Sequence, residues 1–200
     1  MIRGVGRVFF ALRIEREGEL PPAPFVVAAN HYSHFDPAVV GAVLGTPVRF
    51  LAVENLFGAG KVLKWLLASF GAIPTPRERH PIGAVRTALA TLEAGDAVGV
   101  FPEATRVSHW GTVPPRRGAA WLAKQSGVPL VPVAVLGTGK AFGLENRLRL
   151  APVRVVIGPA IPPHSDDLDT LTRRWSEWIA SQVGRFPGSE VSGSPRAFIS

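Results

Sequence analysis

The 200-residue chain contains no cysteine. That excludes a disulfide framework, a thiolate zinc centre and a cysteine nucleophile, and leaves the redox compartment unmarked. Charge is sparse as well. Asp, Glu, Lys and Arg make up 18% of the residues, against roughly a quarter in an average soluble domain. Long apolar runs are also missing. The longest stretch of the N-terminal half without Lys or Arg, Leu20 to Val48, is broken by five prolines and by Asn30, His31, His34 and Asp36. It cannot supply the ~20 apolar residues of a membrane-spanning helix. The N-terminus lacks the apolar core and cleavage site of a signal peptide. The expectation is a cytoplasmic chain with peripheral membrane contact.

What is present is enough for one packed domain. Hydrophobic residues make up 46%, and five tryptophans sit among the aromatics. Lys plus Arg exceed Asp plus Glu by 22 − 15 = 7. That excess favours anionic partners: phospholipid surfaces, phosphorylated substrates, acidic carrier proteins or nucleic acid. No helix-turn-helix, zinc finger or basic-aromatic RNA signature accompanies it, so nucleic acid is not expected.

Periodicity places the elements. Val5, Val8, Phe9 and Leu12 have helical spacing, with Arg3, Arg7, Arg13 and Arg16 interleaved. Residues 1–16 therefore read as a basic amphipathic helix within an N-terminal segment 1–20, lying on anionic lipid or packed on the domain. Phe25 to Ala29, Val48 to Val53, Ala97 to Val100, Leu130 to Leu136 and Val153 to Ile157 read as strands. Pro37 to Leu44, Glu54 to Phe70, Pro81 to Ala94, Ala119 to Ser126 and Asp166 to Val183 read as helices. The alternation predicts an α/β fold: a single layered domain over residues 1–186, its mostly parallel or mixed central sheet flanked by helices. The Gly/Ser/Pro-rich residues 187–200 read as a disordered tail.

Two segments carry chemistry, each at the end of a predicted strand, where sites form in such sheets. The first is Asn30-His31-Tyr32-Ser33-His34-Phe35-Asp36-Pro37. An imidazole with an ordinary pKa of about 6.5 suits proton transfer near neutrality. Asp36 can fix the His31 tautomer, as in the His–Asp half of a serine-protease triad. Ser33 and Asp36 also have capping-box spacing, so both residues could instead only cap a helix. Metal binding by His31, His34 and Asp36 is a third reading, lacking a second ligand cluster. The second segment is Phe101-Pro102-Glu103-Ala104-Thr105-Arg106. Here Arg106 can grip a phosphate, Thr105 can donate a hydroxyl hydrogen bond, and Glu103 can accept from a hydroxyl or hold an arginine. A surface salt bridge in a turn is the bland alternative. Gly137-Thr138-Gly139-Lys140 resembles a phosphate loop but lacks the Walker spacing, and reads as an ordinary turn.

Together the segments resemble the glycerolipid acyltransferases, specifically the 1-acylglycerol-3-phosphate acyltransferase type. Asn30, His31, Ser33 and Asp36 match its first block, with the His-x4-Asp core. Gly71 and Arg77 match the second. Phe101, Pro102, Glu103, Thr105 and Arg106 match the third, and Val131, Pro132 and Val133 the fourth. Arg117-Gly118 matches the basic-Gly pair after the third block.

The resemblance covers roughly residues 25–160. It implies a catalytic dyad of His31 and Asp36, and an acceptor pocket of Arg77, Glu103, Thr105 and Arg106. It implies no metal and no cofactor. A fatty acyl group would pass from acyl-CoA or acyl carrier protein to the free hydroxyl of a lysophospholipid, at the inner face of the cell membrane. Backbone N–H groups near the helix start are expected to stabilise the oxyanion. Ala104 departs from the glycine of the third block; a positive φ there would make alanine costly and points to a different head group. Pro74 and Pro76 make the second block unusual. The alternatives are the same chemistry on another lysolipid, a glycolipid or a lipid-like acceptor, and, from another class, a non-catalytic lipid- or nucleic-acid-binding protein.

Overall fold

The computed structural model describes residues 12–53, 73–75, 82–141, 151–164 and 166–188. Its strands are β1 (Arg13–Arg16), β2 (Val26–Ala29), β3 (Val48–Val53), β4 (Ile73–Thr75), β5 (Ala97–Val100), β6 (Leu130–Leu136) and β7 (Arg154–Ile157). Most are short runs of Val, Ile, Leu and Ala. Such near-continuous apolar character is what a strand covered on both faces requires. They join in one seven-stranded sheet, ordered β1-β7-β6-β2-β5-β3-β4. Every neighbouring pair is parallel except β6 and β7.

The helices are α1 (Asp36–Leu44), α2 (Ile82–Glu93), α3 (Gly118–Ser126), α4 (Thr138–Ala141) and α5 (Leu168–Arg185). They divide between the two faces, as the two-residue period of the strands dictates. Val27, Ala29, Val131 and Val133 pack with Val40, Val43 and Leu44 of α1. Val26, Ala28, Val98 and Ala134 pack with α2, α3 and α5, including Leu92, Ala123, Leu171 and Trp175. Trp175 Nε1 donates to the Ala28 carbonyl at 2.9 Å, pinning α5 to β2 two residues before the first chemical segment begins.

The end of β2 is fixed by an unusual rung. Ala29 pairs with Val133 of β6, and the Asn30 side chain then continues the ladder. Its Nδ2 donates to the Val135 carbonyl at 2.8 Å, and its Oδ1 accepts from the Val135 N–H at 2.7 Å. The backbone of residue 30 is thereby free to turn away while the strand end stays tied to β6.

The layered, mostly parallel sheet matches the fold expected from the sequence, and the chain follows the expected strand and helix positions closely. The helical reading of residues 1–16 fails at its end: Arg13–Arg16 is a strand. β7 offers an open parallel edge there, and Arg13 N donates to the Val153 carbonyl at 2.9 Å while Glu17 N donates to Ile157 at 2.8 Å. Those ladder bonds outweigh a local periodicity worth tenths of a kcal/mol per residue. β4, three residues long, and α4 were not anticipated. β4 lies at the sheet edge, where Pro74 is tolerated. Residues 1–11, the helix expected from Glu54 to Phe70, and the tail beyond Gly188 lie outside the described residues.

Among the described residues no helix is long and apolar enough to cross a membrane.

Gly99 of β5 lies opposite Phe50 of β3, and the Phe50 ring lies over it. A Cβ at residue 99 would meet that ring at 2.4 Å. Gly99→Ala is therefore expected to lower the unfolding free energy by about 1–3 kcal/mol, measured by urea titration. An unchanged midpoint would mean that the ring relocates without cost.

Candidate active site

β2 and β5 are parallel neighbours, so the two chemical segments leave the sheet side by side at its carboxyl edge. Segment 30–36 turns off β2 and enters α1. Segment 101–106 turns off β5. They are joined by main-chain and side-chain bonds: Val107 N donates to the His31 carbonyl at 2.9 Å, and His31 N donates to Glu103 Oε1 at 3.2 Å.

The Asp36 carboxylate is the hub of the first segment. It is fully buried, yet its Oδ2 accepts three hydrogen bonds: from His31 Nδ1 at 2.9 Å, Tyr32 N at 2.7 Å and Ser33 N at 2.7 Å. A buried charge needs such donors to offset lost hydration. With Nδ1–H donating to Asp36, the His31 Nε2 lone pair is left as a proton acceptor. The His31 side chain keeps 15% exposure. Its ring lies flat on Phe101, centroids 4.0 Å apart with the planes inclined by 16°. Phe101 is stacked in turn on Phe50, at 5.2 Å and 19°. These contacts leave the imidazole little freedom to rotate out of line with Asp36.

The capping-box reading holds in one half only. Asp36 reaches back to the Ser33 N–H, but the residue preceding the helix is Phe35, without a side-chain cap, and Ser33 Oγ accepts from Phe35 N at 3.3 Å. The same bonds narrow the oxyanion expectation. The N–H groups of His31, Tyr32, Ser33, Phe35 and Asp36 are all engaged internally, so they are not free to meet a developing oxyanion.

Around the dyad the residues separate by burial. Glu103 is buried, 2% exposed; one oxygen holds His31 N and the other, Oε2, is buried without a partner. Burial is the main cause that pushes Glu103 up to about 7, and the Asp36 charge adds to it, against opposing hydrogen bonds from the backbone N–H groups of Glu103 and His31. Arg106 is half-buried; burial lowers its pKa from the ordinary value, and the Asp36 carboxylate opposes that. It forms no ion pair with the described residues. His34 is pulled down to about 4 by burial, then by the charges of Arg106 and His31, so it is neutral at physiological pH. His31, His34 and Asp36 do not gather as ligands: among the described residues no three such side chains are placed to hold a metal. Thr105 is exposed on the same turn. Arg77 lies outside the described residues. Asn30 and Phe101 do structural work for the site that their residue types did not announce; only their positions within the two blocks marked them.

Ala104 closes a turn in which its N–H donates to the Phe101 carbonyl at 2.9 Å. Its φ is +55°, the positive φ that glycine would accept freely.

Residues 11–136 match the protein-family model described as Acyltransferase. The chain is 32% identical over 129 residues to the 1-acyl-sn-glycerol-3-phosphate acyltransferase of Bacillus subtilis, covering 63% of each protein. It is 30% identical over 166 residues to the chloroplastic 1-acyl-sn-glycerol-3-phosphate acyltransferase BAT2 of Brassica napus, covering 80% of this chain and 48% of that protein. The chain thus spans about half to under two thirds of the length of these curated relatives. The crystal structure of the 1-acyl-sn-glycerophosphate (LPA) acyltransferase PlsC from Thermotoga maritima superposes with a TM-score of 0.74, over 91% of this chain and 75% of that one, at 22% identity; it shares the fold.

Two outcomes follow from the turn at residues 101–106. The left-handed conformation costs an alanine about 1–2 kcal/mol, more than the extra chain entropy of a glycine, about 0.5–1 kcal/mol. Ala104 is exposed, so no packing is lost, and Ala104→Gly should raise unfolding stability by up to about 1 kcal/mol in urea. Glu103 binds its proton more tightly folded than unfolded. Its contribution is therefore present in full below the ordinary value of 4.5 and lost as pH rises to about 7, up to about 3 kcal/mol. The stability of Glu103→Gln, measured against the wild type from pH 4.5 to 8, should lack that fall; parallel curves would contradict it.

Proposed function

The chain belongs to the acyltransferase family, and from that footing we propose that it moves a fatty acyl group from a thioester donor to the free hydroxyl of a 1-acylglycerol-3-phosphate, making phosphatidate for phospholipid synthesis. The observation that carries this reading is the buried Asp36 carboxylate bonded to His31 Nδ1, beside the cationic Arg106.

The acceptor hydroxyl lies at His31 Nε2. As its oxygen attacks the thioester carbonyl, the proton passes to Nε2. The imidazolium that results is stabilised by Asp36 and by the face of the Phe101 ring. The carbon–sulfur bond breaks, and the thiolate takes the proton back from Nε2 as it leaves. The products are an ester and a thiol, with His31 restored. Ser33 is buried and bonded to the loop, which suits a structural role. No acyl-enzyme is required.

A phosphate monoester carries close to two negative charges. Arg106, half-buried and without an ion-pair partner among the described residues, supplies one cation for it, and Arg77 the second. Thr105 and Glu103 serve the glycerol. The donor is acyl-CoA or acyl carrier protein, and no metal or other cofactor takes part. The excess of basic residues favours an anionic membrane surface, on the inner face of the cell membrane.

A second acceptor class is favoured by one observation. Ala104 places a methyl group at the exposed turn beside Thr105 and Arg106, which suits a lysolipid with another head group or a glycolipid. An acceptor panel with one donor separates the two.

Lysophosphatidate should be acylated by the wild-type protein when offered acyl-CoA and acyl carrier protein donors, with and without liposomes. His31→Ala and Asp36→Asn should each lower turnover by about 10²–10⁴-fold or more while circular dichroism stays native. Near-normal turnover in either variant contradicts the assignment.

A further inference from the structure

A second basic site stands at the same edge of the sheet, outside the dyad and its acceptor loop. A cavity of about 530 Å³ is bounded by the end of β6, the start of α4, the approach to β7 and the end of α5, and Arg13, Lys140, Arg154 and Arg185 all line it. Two of these cations are matched. Arg154 pairs with Glu15, and Arg185 pairs with Glu17 and, at 3.9 Å, with Glu15. Arg13 and Lys140 have no carboxylate partner among the described residues. Among the described residues the cavity therefore carries an uncompensated positive charge.

The rest of its wall is apolar. Leu136, Pro152, Val153 and Phe186 supply it, and the Arg154 guanidinium stacks over the Phe186 ring at 3.7 Å. Its size falls in the range of about 300–1,000 Å³ that holds an organic ligand, far more than one inorganic anion needs. The Gly137-to-Lys140 stretch belongs here. Gly137 stands at φ +88° with Pro152 O where a Cβ would be, at 2.1 Å, so this close crossing requires glycine and sets Lys140 on the cavity wall.

We propose that this cavity binds the phosphate-bearing nucleotide end of a thioester donor. Cations for phosphate, apolar and aromatic wall for a flat base, and room for both are the chemistry of that ligand. The placement agrees with it. Asn30 is bonded to Val135, one residue before the cavity wall at Leu136, and His31 follows Asn30. Strands lie about 4.8 Å apart, so the cavity sits a few strand widths from the imidazole, within reach of the long arm that joins a nucleotide to its thioester. The purpose of the site rests on the acyl-transfer reading; its binding does not.

The test uses unacylated coenzyme A as probe, titrated calorimetrically into the full chain. Arg13→Glu and Lys140→Glu reverse cavity charges without breaking an ion pair among the described residues. Arg173→Glu reverses one charge on the exposed face of α5, where Arg173 pairs with Glu177, and controls for overall electrostatics; thermal melts confirm folding. Binding should weaken at least about 10-fold in each cavity variant and change little in Arg173→Glu. Vesicles of phosphatidylglycerol in phosphatidylcholine form the second arm. No binding of coenzyme A by the wild type, an equal loss in Arg173→Glu, or loss of vesicle binding alone in the cavity variants would overturn the inference. Binding of coenzyme A without any acyl transfer would remove the proposed reaction and leave the cavity assignment standing. Turnover with binding untouched by the cavity variants would do the reverse.

Discussion

The site depends on one carboxylate oxygen. Asp36 Oδ2 accepts from the backbone of Tyr32, the backbone of Ser33 and the ring of His31. The two backbone bonds shape the loop between β2 and α1; the third orients the imidazole. One buried charge therefore fixes both the path of the chain and the tautomer of the His31 ring. A neutral side chain of similar size would loosen these together, because burial without charge-assisted bonds gives up the energy that holds the turn.

Everything around that oxygen serves to keep it in place. The Asn30 amide substitutes for a backbone rung and ties the loop to β6, Trp175 anchors α5 at Ala28, and Glu103 draws the neighbouring loop against His31. The ring series Phe50, Phe101 and His31 runs from β3 across β5 to the dyad, and it can do so because Gly99 leaves space beneath Phe50. Packing on a rigid sheet thus becomes angular precision at a nitrogen atom, the form of preorganisation that the proposed proton transfer calls for.

Much of this could be read in the chain before folding. The strands announce themselves because burial on both faces demands uninterrupted apolar residues, as in Val26 to Ala29 and Leu130 to Leu136. The position of His31 and Asp36 between a strand and a helix left capping, metal binding and proton transfer open, and the resemblance to the acyltransferase blocks singled out the pair. Alanine in a glycine's place marked residue 104 as a position where a positive φ would be costly, and its φ is +55°. What was hidden depends on partners distant in sequence. Arg13 to Arg16 stands in a stretch of sequence with helical spacing and becomes a strand only because β7, some 140 positions on, presents an edge to it. The use of Asn30 as a ladder rung needs Val135. The engagement of the N–H groups of Tyr32 and Ser33 follows from how tightly Asp36 gathers the turn, and no spacing rule encodes that.

The most direct measurement of the central claim is the tautomer of His31, read from the ring nitrogens in a nitrogen-15 spectrum of the folded protein near neutral pH, with the resonances assigned through His31→Gln. A protonated Nδ1 and a bare Nε2, with the Nδ1–H signal shifted downfield by its carboxylate partner and altered in Asp36→Asn, is the predicted result. A neutral ring carrying its proton on Nε2, indifferent to Asp36, would leave the base without a lone pair facing the acceptor and would contradict the account.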